Sequence, residues 1–381
     1  LDYSIQLDVA HQEFDGSFCW FHPRAAAIPN GNGKTPPEVL ITLQKWFLSA
    51  SDYFSGLSVL RSKDLGATWH GPEERPELSW REEGDGITAG ICDVTPGWHA
   101  PTKRLLGIGH TVRYKDAHLM KDPRPRETGY AVFDPATETW TPWRMLEMPD
   151  PEKFFSSGCG CGQWLTEAGG SLLVPIYFKG RKGNCYTTTV LRCGFDGKTL
   201  TVLSQGNELA FDVPRGHYEP SLTFFNGRYF LTLRNDIKAY VSHSGDGQQF
   251  APAKPWLFDD GQEIGSYNTQ AHWVTHSDGL FLAYTRRGAN NDHIVRNRAP
   301  LFIARVDPDR LCLLRDSERV LIPERGAMMG NFGACTVNEN ESWVTVGEGM
   351  YRDAAARGAR GCVFAARIQW NRPNKLAGRI N

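Results

Sequence analysis

Residues 171–180 read SLLVPIYFKG, a short apolar run that ends on a polar aromatic, Tyr177, ahead of a turn containing Lys and Gly. Five other stretches lie on it without gaps: residues 39–44 (VLITLQ), 105–110 (LLGIGH), 229–234 (YFLTLR), 281–286 (FLAYTR) and 343–348 (WVTVGE). Each is five mostly apolar residues and then one polar or ionisable residue: Gln44, His110, Tyr177, Arg234, Arg286 and Glu348. Runs this short, between turn residues and without helical period, read as strands. If equivalent strands repeat around an axis, their polar ends face a common mouth.

Around each run the same order recurs over about 50–70 residues: strand, turn, the run itself, loop, strand, acidic turn, aromatic. The units are CWFHPRAAAIP/VLITLQ/GLSVLRSKDLGATW, ITAGICDVTPGW/LLGIGH/TGYAVFDPATETW, SGCGCGQWL/SLLVPIY/TTTVLRCGFDGKTL, YEPSLTFFNG/RYFLTLR/AYVSHSGDGQQF, NTQAHWVTHSDG/LFLAYTR/LFIARVDPDRL and FGACTVNEN/SWVTVGE/CVFAARIQW. Multi-stranded repeats of this length are the signature of a β-propeller. The expected fold is all-β, a single propeller domain over residues 1–381 with six repeat units, the six runs being its inner strands. The N-terminal YSIQLDVAH would supply the missing outer strand of the last unit, a closure that removes open sheet edges. Helical periodicity is nearly absent, and its best candidate, residues 352–357 (RDAAAR), is too short to carry a domain.

The turn Ser62-Lys63-Asp64-Leu65-Gly66-Ala67-Thr68-Trp69 fits S-x-D-x-G-x-x-W and resembles the Asp-box of sialidase-type propellers. In it the Asp caps turn amides, Gly permits a positive φ and Trp packs beneath the hairpin. Residues 244–250 (SGDGQQF) are a shortened variant, while Asp134, Asp196 and Asp307 keep the acidic turn alone. Such a turn argues fold, not chemistry.

Composition narrows the function classes. Net charge is −1, which gives a nucleic-acid partner no support, and no apolar run approaches membrane-spanning length. Nine cysteines are scattered without a CxxC pair, so a zinc ribbon is not expected and most read as small core residues. Only Cys159-Gly160-Cys161 is clustered. The N-terminus LDYSIQLDV does not resemble a signal peptide; the chain reads as a mature secreted or periplasmic form, a cytosolic one being the alternative.

Arginine is abundant near the polar strand ends: Arg192, Arg215, Arg234, Arg286, Arg287 and Arg298. A guanidinium offers a planar fork that matches carboxylates, so an acidic sugar is the expected ligand. His110 and Tyr177 are the natural proton-transfer pair, with the phenol lowered in pKa if it lies beside an arginine. A carboxylate held beside a base suggests β-elimination. In a uronate the C5 hydrogen is α to the carboxylate, and its removal expels the 4-linked sugar without water or nucleophile.

Five motifs carry a family resemblance: Cys19-Trp20-Phe21-His22-Pro23-Arg24, Gly109-His110-Thr111-Val112, Tyr218-Glu219-Pro220-Ser221-Leu222, Tyr267-Asn268-Thr269-Gln270-Ala271-His272-Trp273 and Arg296-Asn297-Arg298-Ala299-Pro300-Leu301-Phe302. They resemble β-propeller enzymes acting on terminal L-rhamnose α-1,4-linked to D-glucuronate, the rhamnose–glucuronate lyases and their rhamnosidase relatives, active on gum arabic and other arabinogalactans. The resemblance implies an exo-acting polysaccharide lyase, seven blades in place of the six counted, and an acidic oligo- or polysaccharide as partner. The chemistry itself requires no cofactor; a structural calcium or zinc in the central channel is implied by the resemblance alone.

More distantly, the propeller ulvan lyases use a His, a Tyr and an Arg at spacings close to those of His110, Tyr177 and Arg192. By that resemblance His110 and Tyr177 share the base and acid roles and Arg192 neutralises the carboxylate. A second His of those lyases is missing, and Tyr130 would stand in for it. Arg215, His217, Tyr218, Glu219, Arg234, Gln270, His272, Arg286, His293 and Arg298 are the expected substrate-binding residues. The rhamnosidase relatives use a single His on the opposite face, for which His22 or His11 is the candidate.

Two other readings stay open. One is a hydrolase, an α-L-rhamnosidase or an exo-sialidase. Sialidases, however, begin with a tight Arg-Ile-Pro strand, whereas Arg24 is separated from Ile28-Pro29 by three alanines, and the sequence does not place their Tyr–Glu nucleophile pair. The other is a non-catalytic glycan-binding propeller.

Overall fold

A computed structural model describes residues 1–31 and 35–378. It is all-β. Among the described residues the helical elements are three single 3₁₀ turns, Pro76–Leu78, Val295–Asn297 and Arg315–Ser317. The candidate helix at residues 352–357 is a series of turns, too short to nucleate without a packing face.

The strands form six antiparallel sheets set around an axis as a β-propeller. Each inner strand is the first of its sheet in chain order, setting aside the Arg81–Gly84 ribbon on the second sheet and Tyr3–Gln12, the outer strand of the last. The inner strands are Phe18–Ile28, Ile87–His99, the split pair Ser156–Gly158 and Leu165–Thr166, Tyr218–Phe225, His272–His276 and Phe332–Thr336. The six apolar runs are therefore second strands, not inner ones: Glu38–Phe47, Arg104–Lys115, Leu172–Lys179, Arg228–Arg234, Gly279–Tyr284 and Glu341–Gly347. A second strand has a partner on both edges and a neighbouring sheet on both faces, so it reads as unbroken apolar sequence. An inner strand faces the channel and carries polar residues and bulges.

Apolar clusters fill the wedges between sheets. Between the last two, Val274, Phe281, Leu301, Phe332, Val344 and Phe364 pack together. The channel is plugged by the buried Gln163 side chain. Its Nε2 donates to the carbonyls of Trp273 and Ala334 at 3.0 and 3.2 Å, and its Oε1 accepts the Trp273 amide at 2.7 Å. One amide thus joins three sheets and meets its hydrogen-bonding needs inside the core.

Tyr3–Gln12 pairs antiparallel with Cys362–Trp370, from Tyr3 opposite Trp370 to Gln12 opposite Cys362, and is the outer strand of the last sheet. The Asp-box turn has the geometry its sequence implies. Asp64 accepts from the Ser62 hydroxyl at 2.8 Å and from the Thr68 amide and hydroxyl at 2.9 and 2.6 Å, which hold its carboxyl down at about 2. Gly66 has φ +82°, and Trp69 packs on Trp343 of the last sheet. All nine cysteines are free and all but Cys185 are buried.

Candidate active site

The inner strands of the first, second and fourth sheets, the segment between the split inner strands of the third and the segment leading into the fifth share a local irregularity. His22, Asp93, Cys161, Glu219 and Asn268 all have φ between 45° and 67°. Three of them sit in register shifts of the ladder, Phe21/Arg24, Cys92/Thr95 and Tyr218/Ser221. Left-handed backbone at five non-glycine residues is costly and persists only where the surroundings impose it. The bulges turn these side chains into one contiguous patch at one end of the channel. His22 Nε2 lies 3.3 Å from Asp93, and Asn331 of the last sheet lies 3.3 Å from the same nitrogen.

The second strands deliver their end residues to the same patch. The Tyr177 hydroxyl lies 3.4 Å from His110 Nδ1 and accepts from Arg126 Nη1 at 3.0 Å. Arg126 also lies over the Tyr177 ring, 5.6 Å from its centroid, and has no carboxylate in ion-pair contact among the described residues. Tyr177, Tyr186 and Tyr218 pack edge to face. Residues 158–162, GCGCG, form the wall behind His110. A Cβ on Gly158 would lie 2.7 Å from His110 Cβ, and one on Gly160 would lie 1.8 Å from His110 Nδ1. The glycines are there because the imidazole occupies the space a side chain would need.

Burial and then the Arg126 charge push the His110 pKa well below its ordinary value, so its imidazole is neutral. Tyr177 moves opposite to the sequence expectation. Its burial raises the phenol well above its usual range, outweighing the opposing pull of Arg126. The site at rest therefore holds a neutral base hydrogen-bonded to a protonated phenol.

Arg234 and Arg298 stand on the other side. Arg234 donates to Glu219 at 2.5 Å and to the Asn268 side chain at 2.6 Å, and it faces the Tyr218 ring. Arg298 donates to the Asn268 carbonyl at 2.5 Å and lacks a carboxylate in ion-pair contact among the described residues. Burial, then the charges of Arg234 and Arg296, bring its pKa down to about 9. The Tyr218 hydroxyl donates to Asp236 at 2.5 Å, with Arg215 over its ring and 3.6 Å from Asp236.

Other expected residues lie elsewhere. Arg192 pairs with Leu173, four residues down the strand from Tyr177, and is held by Glu167 at 2.8 and 3.0 Å and by Gln248 at 2.7 Å. At about 3.3 Å per residue it is some 13 Å from the phenol and already neutralised, so it does not meet a substrate at His110. Tyr130 is opposite Ile108, two pairs below His110, buried in an apolar cluster. The group that does face His110 on that strand's approach is Arg126, two residues before the Thr128–His110 pair. Arg286 is engaged by Glu318 at 2.8 and 2.7 Å. His293 is exposed and 3.2 Å from Glu324. His217 is buried, stacked on Phe211 and tilted against Tyr240, with no well-aligned hydrogen bond to either ring nitrogen. His272 bonds Ser221 at 2.8 Å, and Gln270 bonds Asn331 at 3.3 Å, both below the patch in the channel wall. His22 lies on the same patch as His110 and not across the channel from it, while His11 is on the outermost strand beside Glu13. Arg126, Tyr186, Asp93 and Asp236 were missed: Asp93 is re-aimed by a bulge, which leaves no periodic mark in sequence, and the other three lie in loops outside the apolar runs.

His22, Cys92 and Asp93 place one ligand atom each within 4.8 Å of one another. They do not fit calcium, which takes several oxygen ligands. They do not fit zinc either: the Arg24 guanidinium lies 2.9 Å from Asp93 Oδ1 and already supplies the cation this carboxylate faces.

No family model matches the chain, and no curated protein is significantly similar to it in sequence. Among solved structures it is similar to a protein of unknown function from Dyadobacter fermentans (TM-score 0.68, 15% identity, 96% of this chain and 99% of that one). It is also similar to Trypanosoma rangeli sialidase (0.61, 12%, 97% and 60%) and to the NanB sialidase of Streptococcus pneumoniae (0.60, 11%, 96% and 71%). The chain thus spans about three fifths of the trypanosomal sialidase. At these identities the likeness establishes a sialidase-like propeller fold.

Proposed function

We propose that the protein is a carbohydrate-active enzyme, an exo-acting polysaccharide lyase that removes terminal L-rhamnose from D-glucuronate by β-elimination. The observation that carries this is the side-by-side placement of a neutral His110 and a protonated Tyr177 beside Arg126, which has no carboxylate in ion-pair contact among the described residues. In D-glucuronate the C5 hydrogen and the C4 oxygen lie on the same face of the ring, so base and acid must act from one side. His110 takes the C5 proton, the C4–C5 double bond forms, and the C4–O bond breaks as Tyr177 protonates the departing rhamnose. Arg126 neutralises the uronate carboxylate and stabilises both the enolate-like transition state and the phenolate left behind. The imidazolium then returns its proton to the phenolate across their hydrogen bond, which resets the site.

A second reading has its own observation. The sialidase-like fold and the Tyr218–Asp236 pair beside Arg234 suit a glycoside hydrolase of an acidic sugar with tyrosine as nucleophile. One assay separates the two. With a rhamnose-capped arabinogalactan, rhamnose released together with the ultraviolet absorbance of a 4,5-unsaturated uronate supports elimination. Rhamnose or another sugar released without it supports hydrolysis. His110→Ala and Tyr177→Phe should each abolish elimination in a folded protein; wild-type turnover by both would remove the lyase assignment.

A further inference from the structure

Arg126 is not the sole cation at its edge of the site. Arg124, two residues earlier, has a side chain only 19% exposed and donates to the Met120 carbonyl at 2.7 Å. Burial, then the charge of Arg126, push its pKa down. Lys179, two residues beyond Tyr177 on the same strand, places its ammonium 4.9 Å from the centroid of the Tyr186 ring. Burial pushes the Tyr186 phenol up, but Arg126, a hydrogen bond with Ser156 and Lys179 together outweigh it, and the net shift is downward. The acids that face this group are few. Asp122, its side chain 55% exposed, reaches Lys179 at 3.3 Å and Arg124 only at 3.9 Å. Asp52 acts on Arg124, and Glu219 on Arg126, from further off. Glu127 is taken by Arg113, which Glu83 also binds. Arg124 and Lys179 share the single carboxylate of Asp122, so with Arg126 beside them the cations of this edge outnumber their ion-paired acids, and like charges partly out of water favour an added anion.

We propose that Arg124, Lys179 and the edge of Tyr186 form a second anion subsite beside Arg126. It takes a negatively charged oxygen group, a sulfate ester or a second carboxylate, on the sugar that follows the uronate. This rests on the reading that Arg126 holds the uronate. Tyr177 and Lys179 are about 7 Å apart along their strand, the distance to a neighbouring ring. The substrate is then a glycan charged on two successive sugars.

The test is calorimetric binding to the His110→Ala protein, which reads no turnover. The probes are rhamnosyl-glucuronyl-galactose, the same trisaccharide carrying a sulfate on galactose, and rhamnosyl-glucuronyl-galacturonate. One or both doubly charged probes should bind about tenfold tighter than the singly charged trisaccharide at low salt. The gain should vanish when Arg124→Gln and Lys179→Gln are added, with the affinity for the singly charged trisaccharide unchanged. A gain for sulfate alone assigns the site to sulfate esters, a gain for carboxylate alone to uronates, and either supports the subsite. Equal affinity for all three probes, no binding of any, or a gain that survives the double substitution overturns it. Failure of the lyase reading shows separately, as the absence of unsaturated uronate from the wild-type protein.

Discussion

Gly160→Ala tests the site through a methyl group. The Gly160 backbone does not lie in the left-handed region, so alanine carries no dihedral penalty there. What it lacks is room: its Cβ would lie 1.8 Å from His110 Nδ1 and 2.5 Å from Cε1, where ordinary contact begins near 3.4 Å. The imidazole must retreat by about 1.6 Å, and Gly158, against its Cβ, closes the other side of the notch. A displacement of about 1 Å in a reacting group costs on the order of 10²-fold in rate, about 2.7 kcal/mol of activation free energy. Overpacking removes about 1–3 kcal/mol of stability. The expected result is a folded protein with a modestly lower Tm and a kcat about 100-fold down. KM should be nearly unchanged, because Arg126 and Arg234 keep their places. Initial rates of unsaturated-uronate formation separate the two constants, and Gly169→Ala, whose Cβ would meet nothing within 4 Å, is the control. A folded Gly160→Ala protein with wild-type kcat would refute both the contact and the catalytic role of His110.

Arg126→Gln should lower kcat/KM by about 10²–10³-fold, as loss of one donor to a developing oxyanion does. Arg192→Gln should leave both kinetic constants untouched and cost under about 1 kcal/mol of stability, since its pair with Glu167 is partly exposed; a kinetic defect would return Arg192 to the site. Asp236→Asn should spare elimination, whereas loss of all sugar release would favour the hydrolase. Burial pushes His217 down to about 4 and His272 to about 3. Above pH about 6.5 both are neutral whether folded or not; below it the unfolded chain takes up protons that the folded one refuses. Stability therefore falls as pH drops from about 6.5 towards 4, by about 1.4 kcal/mol per unit for each His. His217→Phe should flatten the fall in Tm over that range, and an unchanged slope would show that His217 is not its source.

The propeller was legible because it repeats. Buried second strands print the same apolar run six times, and the Asp-box turn at Ser62–Trp69 names its own hydrogen bonds. That His110, Tyr177 and Arg234 come to one end of their strands was legible because a strand end has a fixed direction. Arg192 and Tyr130 misled for the opposite reason: spacing in sequence does not say which end of a strand a residue occupies, and antiparallel register puts one beside Leu173 and the other beside Ile108. The Tyr177 shift was misjudged because a neighbouring arginine is visible in a chain and burial is not. Asp93 is aimed by a bulge, which alternation cannot show.

The seam between Tyr3–Gln12 and Cys362–Trp370 has a mechanical consequence. Tyr3 and Trp370 are directly opposed at one end of a long antiparallel ladder. Tension between them does not shear the strands past each other; it peels them apart, loading one pair of residues at a time. The junction that leaves the last sheet without a missing edge at equilibrium is thus the place where a small pulling force opens the ring first, well away from His110.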